Sequence, residues 1–210
     1  MINQVLKRQF WIPAFLLLIL NSCSSTSNGQ VLENQPISTL VKDTLIYWKG
    51  VNYVVVTTSA DQLGFFLDDG KKKFKQFSAL SEYVRAKNKN LIFAMNGGMY
   101  QKDYSPQGLY IENGIQLKKI NKVKEAYGNF YLQPNGIFSI DTSNIARVQK
   151  TTDFSNQGKI KYATQSGPML VIDGKIHSKF TKGSKNVHIR NGVGILKNGK
   201  ILFAMSKTKV

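Results

Sequence analysis

Cysteine is nearly missing: Cys23 is the only one in 210 residues. No disulfide can close within the chain, and the folded body has no thiol to bind metal or act as a nucleophile. Histidine is almost as scarce. His177 and His188 are too few and too isolated for a zinc site. Proline occurs 5 times and never in a run, so no Pro-rich linker divides the chain. There is no G-x-S-x-G elbow and no nucleotide-type phosphate loop, and nothing points to a Ser/His/Asp triad. The apolar stretch Phe10–Leu20 is too short to span a bilayer. Acidic groups are few, 12 against 29 Lys and Arg, for a formal charge of +17. That balance favours anionic neighbours such as phosphate-bearing glycans or lipid headgroups.

The N-terminus reads as a targeting segment. Lys7 and Arg8 precede the apolar stretch, and Leu20-Asn21-Ser22-Cys23 follows it. This resembles a lipobox, in which cleavage leaves a lipidated cysteine at the new terminus; an ordinary leader with an incidental cysteine is the alternative. The expected organisation is a signal segment over 1–22, lipidated Cys23 and a polar tether to residue 40, and a domain over 41–210. Removing residues 1–22 takes away Lys7, Arg8 and no acid, leaving 188 residues at +15, enough for one buried core. The implied location is the bacterial envelope, anchored through lipid on the outer membrane or the periplasmic face. An exported protein is not expected to meet nucleic acid. The basic run Lys71-Lys72-Lys73-Phe74-Lys75 reads first as a solvated face.

Past the tether the patterning is mostly β. "DTLIYWKGVNYVVVTT" predicts a hairpin turning at Lys49-Gly50 and the two residues after it. Phe77, Leu80, Tyr83 and Val84 recur at helical spacing, with Ser78 as the expected cap and "NKN" as the stop. "LIFAM" at 91–95 predicts a buried strand. "LYIENGIQL", "MLVIDGKIH" and "GILKNGKIL" each predict a hairpin with a two-residue turn. The expected fold is a single α+β domain of mixed or antiparallel sheets, built from recurrent hairpins with few helices.

Polar-glycine junctions at strand ends are the candidate site. Asn96-Gly97-Gly98 follows a predicted strand, where glycines let backbone N–H groups approach a ligand. Asn135 opens "NGIF", Gln165-Ser166-Gly167 precedes a proline, and Arg190 begins another strand. Each alone reads as a turn or a solvated charge. Four together, rich in amide, hydroxyl and guanidinium groups, suit sugar hydroxyls and a phosphate.

Taken in order, "NGGMY…SPQGLYIENG", "NFYLQPNGIFSI", "ATQSGPMLVIDGKIH" and "IRNGVGI" resemble the phosphodiester glycosidase family, most closely its bacterial exported branch. The resemblance covers about residues 45–205. It implies hydrolysis of a sugar 1-phosphodiester to free sugar and phosphomonoester through an oxocarbenium-like state. It also implies that Arg190 binds the phosphate. Asn96, Gly97 and Gly98 would hold sugar or phosphate oxygens, and Asn135, Gln165, Ser166 and Gly167 would line the substrate. His188 is a weaker candidate for phosphate contact or a proton role. The expected partner is a phosphate-bearing glycan or a sugar 1-phosphodiester. No cofactor is called for, and a divalent metal is left open.

The chain departs from the family in one respect. Members usually continue into a Leu-Asp-Gly-Gly stretch followed by serines, and no Asp or Glu follows Asp173 here. The expectation is a domain lacking that C-terminal part. Asp103 or Asp173 would then have to supply a catalytic carboxylate, or the protein would bind anionic glycans without turning them over, or it would be an inactive truncated relative.

Overall fold

Two-residue turns with both central residues at positive φ set the register of three hairpins. The computed structural model describes residues 42–156 and 158–210; the leader, Cys23 and the tether lie outside the described residues. Strand β1 (Lys42–Trp48) turns through Lys49 (φ +48) and Gly50 (φ +82) into β2 (Val51–Thr58). Asn113 and Gly114 turn β3 (Tyr110–Glu112) into β4 (Ile115–Lys118). Asp173 and Gly174 do the same between β8 (Val171–Ile172) and β9 (Lys175–Ile176). Asn and Asp tolerate this left-handed backbone and Gly takes it without penalty. The last expected hairpin departs from the pattern. Between β10 (Asn191–Ile195) and β11 (Ile201–Ser206) only Gly199 has positive φ. Gly199 N–H donates to the Leu196 carbonyl at 2.9 Å, and Leu196 N–H to the Lys200 carbonyl at 2.8 Å. That is a longer connection, a turn followed by one left-handed residue.

Every strand pair is antiparallel, so the expected mixture of directions narrows to one. The first sheet runs β1-β2-β11-β10 and joins two hairpins through the β2–β11 pair. The second runs β4-β3-β7-β5-β6, where β5 is Gly136–Asp141, β6 Ala146–Lys150 and β7 Ile160–Ser166. Strand β7 slots between the β3–β4 and β5–β6 hairpins and closes that sheet. The result is sheet-rich, with a single α-helix among the described residues.

Side-chain alternation on β5 and β7 explains why the second sheet is covered on both faces. Phe138, Ile140 and Tyr162 face the first sheet and pack with Val56, Ile201 and Phe203. Ile137 and Ala163 point the other way, toward Leu109 and Ile111. Burial of these apolar groups on both sides fixes the register, because a one-residue slip would exchange the two faces.

Two local expectations are corrected. Helix α1 spans Phe77–Arg85 and starts at Gln76, with no side-chain cap, so Ser78 lies inside the first turn. Its end is better defined. Asn88 takes φ +56, Asn88 N–H donates to the Arg85 carbonyl and Lys89 N–H to the Val84 carbonyl, a Schellman motif. Residues 91–95 form no strand. Phe93 and Met95 pack on the core between the sheets while Ile92 is exposed, so the segment keeps strand-like alternation. Its backbone finds no ladder partner among the described residues.

Candidate functional site

The chain leaves this unladdered segment at Asn96 and passes hard against the end of β7. A Cβ at Gly98 would lie 2.6 Å from the Gln165 carbonyl oxygen, and closer still to Thr164 Oγ1. Only glycine permits that approach. Gly97 is different: a Cβ there would meet nothing within 4 Å. The contact with β7 brings Ser166, its last residue, beside Asn96, Gly97 and Gly98. Asn191, the first residue of β10, supplies a further wall. With Met99 and Tyr100 these residues line a cavity of about 310 Å³. Two of the four expected junctions thus converge, joined by Asn191, the neighbour of Arg190, from positions up to about a hundred residues apart.

The cavity is neutral and rich in hydrogen-bonding groups. The N–H groups of Gly97, Gly98 and Met99 donate to no acceptor among the described residues. Asn96 Nδ2 reaches Tyr100 Oη at 3.4 Å, a weak bond that leaves most of the amide free. Free N–H groups beside amide and hydroxyl side chains can hold sugar hydroxyls or a phosphate oxygen. Met99, Tyr100 and Asn191 were not among the expected site residues. All three lie within two residues of ones that were, and only the fold separates wall from neighbour.

Several expected site residues serve the scaffold instead. Gln165 is 1 % exposed. Its Oε1 accepts the Leu109 and Asn121 N–H groups at 2.9 Å each, and its Nε2 donates to the Asn121 carbonyl at 2.7 Å and to Thr151 Oγ1 at 3.3 Å. No bonding capacity remains for a ligand. Asn135 is equally buried; its Nδ2 donates to the Phe130 carbonyl at 3.2 Å and its Oδ1 has no partner. Gly167 packs against that same carbonyl, where a Cβ would come within 2.6 Å. Asn135 and Gly167 hold the loop around Phe130 against the sheet, and Gln165 ties Leu109, Asn121 and Thr151 to β7.

Arg190 is exposed and outside the cavity lining. One guanidinium nitrogen, Nη2, donates to the Asn186 carbonyl at 2.7 Å, and its backbone N–H donates to Ser206 Oγ at 2.9 Å. His188 exchanges backbone hydrogen bonds with Val210 and is also exposed. Asp173 makes the β8–β9 turn and pairs with Lys150 at 3.4 Å, away from the cavity lining. His177, the buried histidine, is a strap. Its Nδ1 accepts the Lys179 N–H at 3.1 Å, so the Nε2–H donates to the Gln133 carbonyl at 2.8 Å.

Asp103 lies in an adjoining cavity rather than the first. The Ser105 hydroxyl, the Ser105 N–H and Lys73 hold its carboxyl well below the usual range. It is ionised at any working pH and has no proton to give. Elsewhere, burial raises the Glu112 carboxyl, against the opposing pull of the Tyr110 hydroxyl and the Leu67 N–H. Burial also pushes the Tyr110 hydroxyl far up, with the Glu112 charge adding to it. Among the described residues no three His, Cys, Asp or Glu side chains gather as a metal site would need.

Residues 89–209 match the phosphodiester glycosidase family. Over 114 residues the chain is 40% identical to the uncharacterized protein YigE of Escherichia coli (strain K12), a stretch covering 54% of this chain and 44% of that protein. The chain therefore spans less than half the length of that curated relative.

Proposed function

The chain belongs to the phosphodiester glycosidase family, and from that premise we propose that it hydrolyses a sugar 1-phosphodiester of an envelope or exported glycan. Water adds to the anomeric carbon and the C1–O bond breaks. The bonding pair leaves with the phosphate oxygen, giving free sugar and a phosphomonoester, and the proton of the attacking water passes to solvent. The convergence of Asn96, Gly97, Gly98, Ser166 and Asn191 on one neutral, donor-rich cavity is the observation that carries this reading. The Gly97 and Gly98 N–H groups would meet the phosphate, where charge grows as the C1–O bond lengthens. Asn96 and Ser166 would orient the sugar. Arg190, exposed beside Asn191, would swing from the Asn186 carbonyl to the second phosphate oxygen. A phosphate leaves well without protonation, which suits a cavity whose described lining has no carboxyl group.

The test uses the full chain with N-acetylglucosamine 1-(methyl phosphate) in H₂¹⁸O, followed by ³¹P NMR. Expected are free sugar and methyl phosphate whose ³¹P signal shows no ¹⁸O isotope shift, and a rate lowered about tenfold or more in Arg190→Ala. An ¹⁸O label in the phosphate would mean P–O cleavage and overturn the mechanism. An unchanged rate in Arg190→Ala would remove that residue from the site. The neutral, donor-rich lining also fits a second reading, in which the same cavity holds an anionic glycan without turnover. Saturable binding of the diester with no product would select it.

We also propose that Cys23 carries lipid and anchors the protein to the bacterial envelope. Cells fed an alkyne fatty acid are expected to label the wild-type protein and not Cys23→Ala. Equal labelling of the two would reject the anchor.

A further inference from the structure

The loop between Met99 and Gln107 sets Tyr100 in the lining of a second hollow and stacks Tyr104 against that ring. Tyr100 and Tyr104 lie nearly parallel, 8° apart, with centroids 5.9 Å from each other. Tyr100 lines the first cavity and also a larger one of about 600 Å³, shared with Gln101, Lys102, Asp103, Gln107 and Tyr131. The loop is tied down from within. Gln101 N–H donates to the Ser105 carbonyl at 2.8 Å, Gln107 N–H to the Met99 carbonyl at 2.9 Å, and Ser105 donates twice to Asp103 Oδ1. Tyr104 is held at φ +63, a left-handed backbone that an aromatic residue rarely takes. The loop bears that strain while stacking the ring on Tyr100.

The lysine run, which the sequence alone reads as a solvated face, docks on this loop. Lys73 Nζ donates to the Asp103 carbonyl at 3.0 Å and to its Oδ2 at 3.2 Å. Lys75 Nζ stands 5.6 Å from the Tyr104 ring centroid. Lys102 lines the cavity beside Asp103, whose carboxylate is already engaged by Lys73. Aromatic faces match the C–H face of a sugar, amide side chains match its hydroxyl edge, and surplus ammonium groups match an acidic substituent.

We infer that the second cavity is a subsite for an acidic sugar unit, continuous with the first through Tyr100, so that the substrate is an anionic glycan extending beyond the scissile phosphodiester. This rests on the reading of the first cavity given above. The acid can be a carboxylate or a phosphate, and the test separates them.

The full chain is titrated calorimetrically with tetragalacturonate, with pentamannosyl phosphate and with neutral maltotetraose. At least one acidic probe is expected to bind, more weakly as salt rises, and maltotetraose at least about tenfold less tightly. Whichever acidic probe binds names the acid. Tyr131→Leu, which takes an aromatic face out of the cavity lining, is expected to weaken binding about tenfold, and Lys102→Gln about threefold. Tyr131→Phe retains the ring and is expected to retain binding. No binding of either acidic probe, equal binding in Tyr131→Leu, or equal binding of maltotetraose would each overturn the subsite. Acidic probes that bind a protein inactive on the simple diester would keep the subsite and reject the hydrolysis. Turnover of the simple diester without such binding would do the reverse.

Discussion

Gly97 and Gly98 are neighbours under opposite constraints. Gly98 is pressed on β7, and Gly98→Ala would drive a methyl group into the Gln165 carbonyl. The expected cost is about 2 kcal/mol or more in denaturant unfolding. Gly97→Ala adds a methyl where nothing stands within 4 Å, so stability should stay within about 1 kcal/mol of wild type. If the cavity holds the substrate, that methyl narrows its wall, and hydrolysis of the diester is expected to fall at least about tenfold. A Gly97→Ala protein of full activity would move the substrate elsewhere. At this scale Asn96, both glycines and Ser166 were legible as a polar junction after a β run. Gln165 and Asn135 were misread because an amide at a strand end faces either way. Strand parity could not separate Gln165 from Ser166, because β7 is buried on both faces, Ala163 on one and Tyr162 and Thr164 on the other; Ser166 is freed by being the last residue of the strand.

Turn chemistry was the most legible part of the elements, since Asn-Gly and Asp-Gly pairs demand positive φ wherever they stand. The caps were less so. Ser78 is a plausible cap by type, yet the helix begins two residues earlier, at a glutamine that caps nothing. At the other end Asn88 decides the helix stop through its left-handed backbone. Thermal unfolding is expected to rank Asn88→Gly above wild type by about 0.5 kcal/mol and Asn88→Val below it by about 1 kcal/mol. The reverse order would mean that the side chain, not the backbone, sets the end. Residues 91–95 were read as a buried strand because they form a short continuous apolar run. A strand also needs a neighbour to exchange hydrogen bonds with, and no local pattern reports one.

Across the whole molecule, carboxylates of opposite tendency oppose each other as pH changes. Asp103 is held low by Ser105 and Lys73. For Asp141, burial pulls upward, but Arg147 and the Ile145 and Ser143 N–H groups outweigh it and the carboxyl ends low. Such groups add stability above their unfolded pKa, and it is lost as pH falls through the folded one. Glu112 runs the other way. Its raised carboxyl costs stability as pH climbs from the unfolded value through the folded one. Glu112→Gln is therefore expected to melt at a higher temperature than wild type at pH 7, with the gap closing toward pH 4, near the ordinary glutamate pKa of about 4.3. A constant gap across that range would mean that ionisation of Glu112 is not its cause. The sheet-rich class and the hairpin order were readable from sequence. The pairing of β2 with β11, and the docking of the lysine run on Asp103 and Tyr104, join segments that no local pattern connects.

That β2–β11 pair also sets a timetable. The strand made early waits for one made near the end of the described chain, and β3 waits in the same way for β7. Contacts between such distant segments are slow to form. Until β11 leaves the ribosome the first sheet is incomplete, and the wall that β10 gives the cavity has no sheet to hold it. A growing chain of this topology lacks a finished first sheet for most of its synthesis, and an unfinished fold is easier to draw through a narrow channel than a finished one.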